Sequence, residues 1–218
     1  MSESDAARGI RLRGIRLQAD SHQSDSHAHD AGSPAEAGSH PRGRRPRVAT
    51  VWLGGCSGCH MSFLDMDERL IELAARIDLV YSPLADVKVF PPDVDVTLVE
   101  GAVSNQDDLK TIQAIRKRSR IVVALGDCAV TGNVPAMRNT IPVKQLLDRV
   151  YLHGTSAETK VPGDGVPPLL RKAVPVHEVV NVDLHVPGCP PRAGAILHVV
   201  SELLDGRKPE LASKVKFG

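Results

Sequence analysis

The stretch "RVATVWLGGCSGCHMSFLDMDERL" (47–70) holds three signals in succession. Val48–Leu53 is a short, β-branched apolar run and reads as a buried strand. Cys56 and Cys59 follow in a glycine-rich turn. A helical stripe then begins, with apolar residues at 63, 64, 66, 70, 71, 73, 74 and 77. A helix is expected over 62–77, with Ser62 as its N-cap and Asp65 three positions on.

The alternation continues to the end of the chain. "DLVYS" (78–82), "VDVTLVEG" (94–101) and "RIVVALGDC" (120–128) read as strands. "NQDDLKTIQAIRKRS" (105–119) and "PVKQLLDRVYLHG" (142–154) read as helices. "HEVVNVDLHVPGC" (177–189) holds one or two strands, and "RAGAILHVVSELLDG" (192–206) is a final helix ending at Gly206. Near-continuous Val/Ile/Leu strands alternating with helices indicate an α/β fold, a parallel sheet with helices on both faces. Ligands of such sheets bind beyond the carboxyl ends of the strands.

The four cysteines fall on that map in a regular way. Cys56 and Cys59 follow the first strand, Cys128 follows "IVVALG", and Cys189 follows "VDLHVPG". All four are expected in loops at carboxyl strand ends, so thiols spaced C-x2-C-x68-C-x60-C converge in space. Disulfides do not suit a cytosolic chain of this size. Four thiolates suit a [4Fe–4S] cluster, which accepts ligands from distant loops and N–H donors from nearby glycines. A structural zinc held by four thiolates, or unligated core thiols, are the other readings. Zinc more often uses two compact C-x2-C knuckles.

Composition bounds the rest. The chain has 218 residues, 42% hydrophobic, with a formal net charge of +1 and 3% aromatics, so neither charge nor stacking points to nucleic acid. No apolar run approaches the roughly eighteen residues of a membrane span. Residues 1–46 contain no Val, Phe, Tyr or Trp and are expected to be a disordered tail ahead of one domain over 47–218. "RGIRL" repeats at 8–12 and 13–17, and His22, His27 and His29 cluster in a stretch that reads as a solvated linker. Arg44-Arg45 invites an export-signal reading. The apolar run that follows is too short and runs straight into Cys56, so a cytoplasmic protein is expected.

Four motifs in order, "GCSGCHMSFLD" (55–65), "VEGAV" (99–103), "GDCAVTGNVPAMRN" (126–139) and "PGCPP" (187–191), resemble the small subunit of nickel–iron hydrogenases. The likeness runs from about Arg47 to Gly218. It is closest to the bidirectional, NAD-linked cytoplasmic branch, down to "SFLDMDE", "AMRN" and the terminal "KFG". The resemblance implies a flavodoxin-like fold and a proximal [4Fe–4S] cluster on Cys56, Cys59, Cys128 and Cys189. It implies electron transfer between the nickel–iron centre of a separate large subunit and an NAD-reducing diaphorase module. Four cysteines in all leave none for further clusters. The related quinone-reductase subunit is the nearest alternative, but it typically has adjacent cysteines where this chain has C-x2-C. Some relatives hold FMN; no phosphate-loop signature supports that here, and no GxGxxG marks an NAD site. Many relatives carry Gly-Gly where this chain has Gly132-Asn133.

Other residues have two readings each. Glu100 ends a strand and is a proton-relay candidate or an acceptor for backbone N–H groups. His60 is a relay candidate or an exposed or interface histidine. Trp52 is core or an aromatic wall. Arg138 and Asn139 grip a partner or lie in a solvated loop. His177, His185 and His198 sit on apolar elements and read as structural. Removing residues 1–44 should leave the fold and its metal content intact, whereas a cut into Val48–Leu53 should abolish folding; circular dichroism and iron analysis of the two truncations check this.

Overall fold

A computed structural model of the protein describes residues 44–154 and 160–217. The tail expected over 1–46 lies outside the described residues up to 43, as do the repeat and the histidine cluster. In chain order the elements are β1 (Arg47–Trp52), α1 (Gly58–Leu64), α2 (Glu68–Arg76), β2 (Asp78–Tyr81), β3 (Val94–Glu100), β4 (Val103–Asn105) and α3 (Gln106–Arg118). Then follow β5 (Ser119–Leu125), α4 (Asp127–Thr131), α5 (Asn133–Ala136), α6 (Val143–Leu147), β6 (Leu169–Val174), β7 (Leu184–Val186) and α7 (Ala193–Leu204).

Five strands form one sheet in the order β2-β1-β3-β5-β7, every neighbouring pair parallel. Counted within that sheet alone, the order is the flavodoxin-like 2-1-3-4-5. The chain therefore reverses its direction of winding between β1 and β3, and that switch point opens a crevice at their carboxyl ends. All seven residues of β3 are buried, as a central parallel strand requires. One apolar layer packs Phe63, Met66, Leu73, Ile196 and Val199 against Val96, Leu98 and Val123. The opposite layer packs Ile112, Ile115 and Val130 against Val51, Val99 and Val122. Helices thus cover both faces, as the sequence indicates.

The amino ends of the strands are tied by charge. Asp95, nearly buried, accepts from the Arg47 backbone N–H at 2.7 Å and from the Arg44 guanidinium at 2.9 Å. Arg44 lies inside the stretch read as tail. Its side chain is 43% exposed, so the pair is worth at most about 1 kcal/mol and the truncation outcome above is unchanged.

Several expected elements differ. The helix expected over 62–77 is two helices, broken at Asp67 with φ +51°. Phe63, Met66, Leu70, Leu73 and Ile77 all join one apolar layer, so the stripe keeps its period across the break and hides it. Ser62 is not an N-cap; it is buried inside α1 and donates to the Pro191 carbonyl at 2.5 Å. The strand expected to 128 stops at Leu125, and Cys128 lies in α4. The helix expected over 142–154 is α6 followed by a π-type turn at Asp148–Leu152. The 177–189 segment holds one strand, β7, after a 3-10 turn at Val176–Glu178. The antiparallel β4–β6 ladder was not expected, because β4 is only three residues long and β6, LLRKAV, does not alternate apolar with polar residues. In α3 the expected start holds: Asn105 accepts from the N–H groups of Asp107 and Asp108, in a reciprocal capping box.

Leu98 is fully buried on the central strand and touches the layer that carries Cys59. Leu98→Ala should lower unfolding free energy by about 2–5 kcal/mol, read from the denaturant midpoint at unchanged m-value.

Candidate metal centre

The sheet register decides where the thiols go. Trp52 pairs with Glu100, Glu100 with Leu125, and Leu125 with Val186. Four strand ends therefore stand at one level. Cys56 lies four residues past the first, Cys128 three past Leu125, and Cys189 three past Val186. The expectation that all four cysteines occupy loops is half right. Cys56 and Cys189 are in exposed loops, whereas Cys59 is buried in the first turn of α1 and Cys128 lies in α4. None is in a disulfide.

Backbone bonds lace these ends together. The Gly126 N–H donates to the Val186 carbonyl at 2.8 Å, and the Asp127 N–H to the Gly188 carbonyl at 2.9 Å. The buried Asp127 carboxylate accepts the Gly188 N–H at 2.6 Å. The loops bearing Cys128 and Cys189 are thereby one unit. Ser62 adds a fourth bond, from the helix of Cys59 to Pro191, two residues past Cys189. Asp127 was not singled out from sequence, and Ser62 only as an N-cap. The signal was present: each sits one to three residues from a cysteine, but a short polar side chain near a loop has many other readings.

Gly126 is required twice over. Its φ is +82°, and a Cβ there would lie 2.2 Å from the Cys59 sulfur. The missing side chain is the space that the Cys59 thiol fills.

The thiols act on one another. Burial pushes the Cys59 thiol well above the usual thiol range, and the charges of Glu100, Cys128, Cys56 and Cys189 push it the same way. Burial also raises Cys128, assisted by Cys56 and Cys189, while a backbone N–H from Val134 pulls it down. Ionised together, these neighbouring thiols would repel one another, and a cationic occupant would favour their thiolate forms. Among the described residues, no three His, Cys, Asp or Glu side chains stand as a single metal ion would require. Four thiols brought to one sheet edge, with Gly126 beside them, are donors of the type that an iron–sulfur group takes from distant loops.

Glu100 and His60 form a buried pair in the crevice. Glu100 Oε2 accepts the His60 backbone N–H at 2.9 Å and stands 2.5 Å from Nδ1. His60 is 2% exposed, against the expectation of an exposed or interface histidine. Both readings of Glu100 remain compatible with this: it accepts a backbone N–H, and it touches a ring that can carry a proton. Trp52 is 40% exposed, so it is not core; its ring meets His60 edge-on at 5.2 Å. Arg138 and Asn139 are not in a solvated loop. Arg138 donates to the carbonyls of Ser104 and Leu170, and Asn139 bonds the Ala173 carbonyl and N–H, so both hold the β4–β6 ladder. His177 and His185 are both exposed, so they are not core residues, and their rings meet edge to face at 5.7 Å; the half-buried His198 hydrogen-bonds the Glu210 carbonyl through Nε2. Nothing in the described residues supports an FMN site. No helix among them is long and apolar enough to cross a membrane.

A family model for the NADH ubiquinone oxidoreductase, 20 Kd subunit, matches residues 56–203, which include all four cysteines. The chain belongs to that family. Within it, the chain is 40% identical over 177 residues to the NAD-reducing hydrogenase HoxS subunit delta of Cupriavidus necator, covering 78% of this chain and 83% of that protein. It is 38% identical over 171 residues to one subunit of the F420-non-reducing hydrogenase vhu of Methanocaldococcus jannaschii, covering 78% of this chain but only 59% of that longer protein. Among solved structures, a chain of an NAD+-reducing [NiFe]-hydrogenase in the H2-reduced state superposes with a TM-score of 0.77 at 40% identity, over 80% of this chain and 100% of that one. The resemblance read from four motifs thus extends over nearly all the described residues.

Gly126→Ala should displace the Cys59 thiol and lower stability by about 1–3 kcal/mol, from clash and backbone strain together. Gly165→Ala, at φ +72° with open space around it, separates the strain component, so thermal melts of the two variants should differ.

Proposed function

We propose that this chain is the electron-transfer small subunit of a cytoplasmic, NAD-linked nickel–iron hydrogenase. In this reading Cys56, Cys59, Cys128 and Cys189 together hold one proximal [4Fe–4S] cluster. The observation that carries it is the convergence of four thiols at aligned strand ends, in a chain that matches an NAD+-reducing [NiFe]-hydrogenase chain over that chain's whole length.

Bound there, a [4Fe–4S] cluster would supply one-electron uptake and release. The chain's own residues do the rest. The Asp127 carboxylate and the Gly126 and Asp127 N–H groups keep the loops of Cys128 and Cys189 at a fixed separation. Gly126 leaves room for the Cys59 sulfur. The His60–Glu100 pair sits behind Cys59, holding a carboxylate and an imidazole out of water beside the thiol. Electron transfer falls steeply with distance, so the cysteine edge must face its redox partner. Trp52, Met61, Val134 and Met137 flank the cysteines and are exposed in the single chain, as a surface sealed by a large subunit would be. Partners are then the large subunit carrying the nickel–iron centre on one side and the diaphorase iron–sulfur and flavin subunits on the other.

The quinone-reductase-type reading draws on the family description. The two relatives compared above carry hydrogenase names, and C-x2-C stands where the quinone-reductase subunit has adjacent cysteines. Co-purification of nickel with the chain separates the two. A four-thiolate zinc protein would contain zinc and no labile sulfide.

Replacing any one of the four cysteines by Ser should remove the cluster or reduce it to a three-iron form, because a serine oxygen is a harder ligand with a less acidic proton. Hydrogen-dependent NAD reduction should collapse in all four variants. Hydrogen–deuterium exchange at the nickel–iron centre should persist where the complex assembles. Full iron content and NAD reduction in Cys128→Ser or Cys189→Ser, with loss only in Cys56→Ser, would break the shared-site reading.

A further inference from the structure

The turn between α4 and α5 reaches two of the four thiols. Gly132 closes α4 with φ +85°, and Asn133 follows with φ +31°. A positive φ is uncommon for a residue with a Cβ, and asparagine tolerates it better than most. That backbone turn carries the Asn133 amide toward a cysteine 56 positions away: Nδ2 lies 3.5 Å from the Cys189 sulfur. A thiolate has no proton to give, so only the NH2 end of the amide satisfies it, which fixes the amide's orientation. The next residue, Val134, presents its backbone N–H to the Cys128 sulfur. Consecutive residues thus set N–H donors on thiols that come from two different strand ends.

We propose that Asn133 is a tuning residue: its side-chain amide donates to the Cys189 sulfur and raises the reduction potential of the iron–sulfur group held by the four thiolates. This rests on the ligand assignment under Proposed function. The reasoning is electrostatic. When one electron enters, no bond forms or breaks, and the group becomes more negative by one charge, part of it on the thiolate sulfurs. An N–H dipole aimed at a sulfur stabilises the more negative state more than the less negative one. Removing the donor therefore lowers the potential. The backbone requirement at 133 is a separate matter, because glycine meets a positive φ without strain.

The test is an anaerobic redox titration, followed by electron paramagnetic resonance, of the intact complex containing the full chain. Wild type, Asn133→Gly and Asn133→Asp are compared, with iron and labile sulfide measured in each. Asn133→Gly keeps the turn and loses the donor. At a fixed solution potential its ratio of reduced to oxidised cluster should be roughly tenfold lower, which is about 59 mV for a one-electron couple. Asn133→Asp keeps the shape and puts a carboxylate beside the sulfur, so its potential should lie lower still. An unchanged potential in Asn133→Gly with full iron content would overturn the proposal and leave Asn133 as a turn residue. Loss of the cluster in Asn133→Gly, with wild type loaded, would also overturn it, assigning the residue to cluster retention. A wild-type complex without a four-iron signal would instead overturn the ligand assignment, and the proposal with it.

Discussion

Trp52, Glu100, Leu125 and Val186 end their strands side by side, and the site depends on that alignment. β1, β3, β5 and β7 run parallel and finish together, so the connections leaving those four ends begin at the same height. Short loops from that edge cannot diverge far. The two ends bearing Cys128 and Cys189 are further locked by paired backbone bonds and the Asp127 carboxylate. A one-residue slip between β5 and β7 would break all three bonds and carry Cys189 out of reach of Cys128. The apolar packing opposes such a slip, because it would turn Leu184 and Val186 of β7 away from the layer they pack in.

Burial serves the thiols as well as the fold. Cys59 belongs to the same apolar layer as Phe63, Leu98 and Val186, so one of the four ligand candidates is part of the core. That placement makes the free thiol reluctant to ionise, and an occupant of positive charge would reverse the preference. Stability and ligand binding are therefore linked at this position: what binds the folded thiols and not the unfolded chain stabilises the fold. Glu100 Oε2 is matched by the His60 backbone N–H and Nδ1 in the same crevice, while His60 Nε2 is buried with no hydrogen-bond partner among the described residues. A lone buried carboxylate there would be costly, which accounts for both residues standing together next to Cys59.

Much of this was legible before any coordinates. The alternation of apolar strands with helical stripes specifies a parallel sheet, because strands buried on both faces must be apolar at nearly every position. Cysteines placed just after such strands must meet at one edge, since parallel connectivity puts all carboxyl ends there. The start of α3 was also readable, because Asn105 and Asp108 satisfy the first backbone N–H groups locally. These features are set by residues close in sequence or by a periodicity that survives any particular packing.

Other features were decided only by tertiary contact. The break at Asp67 left no trace in the pattern, since its flanking apolar residues face the same layer. Ser62 reads as a cap by type, yet it gives its hydroxyl proton to a carbonyl 129 positions away. Arg138 and Asn139 look like solvent-facing loop residues until β4 and β6 are seen to pair beside them. His60 was misjudged as exposed because its burial depends on Glu100, forty positions on, and that meeting exists only at the switch point between β1 and β3. Asn133 meets Cys189 because the carboxyl ends of β5 and β7 stand side by side. The sequence by itself determined which residues form strands and that the thiols share an edge, because those follow from local pattern and chain direction. Which polar side chain reaches which sulfur, carbonyl or carboxylate was left to the tertiary structure, because such bonds join residues that only the finished sheet brings within a few ångströms.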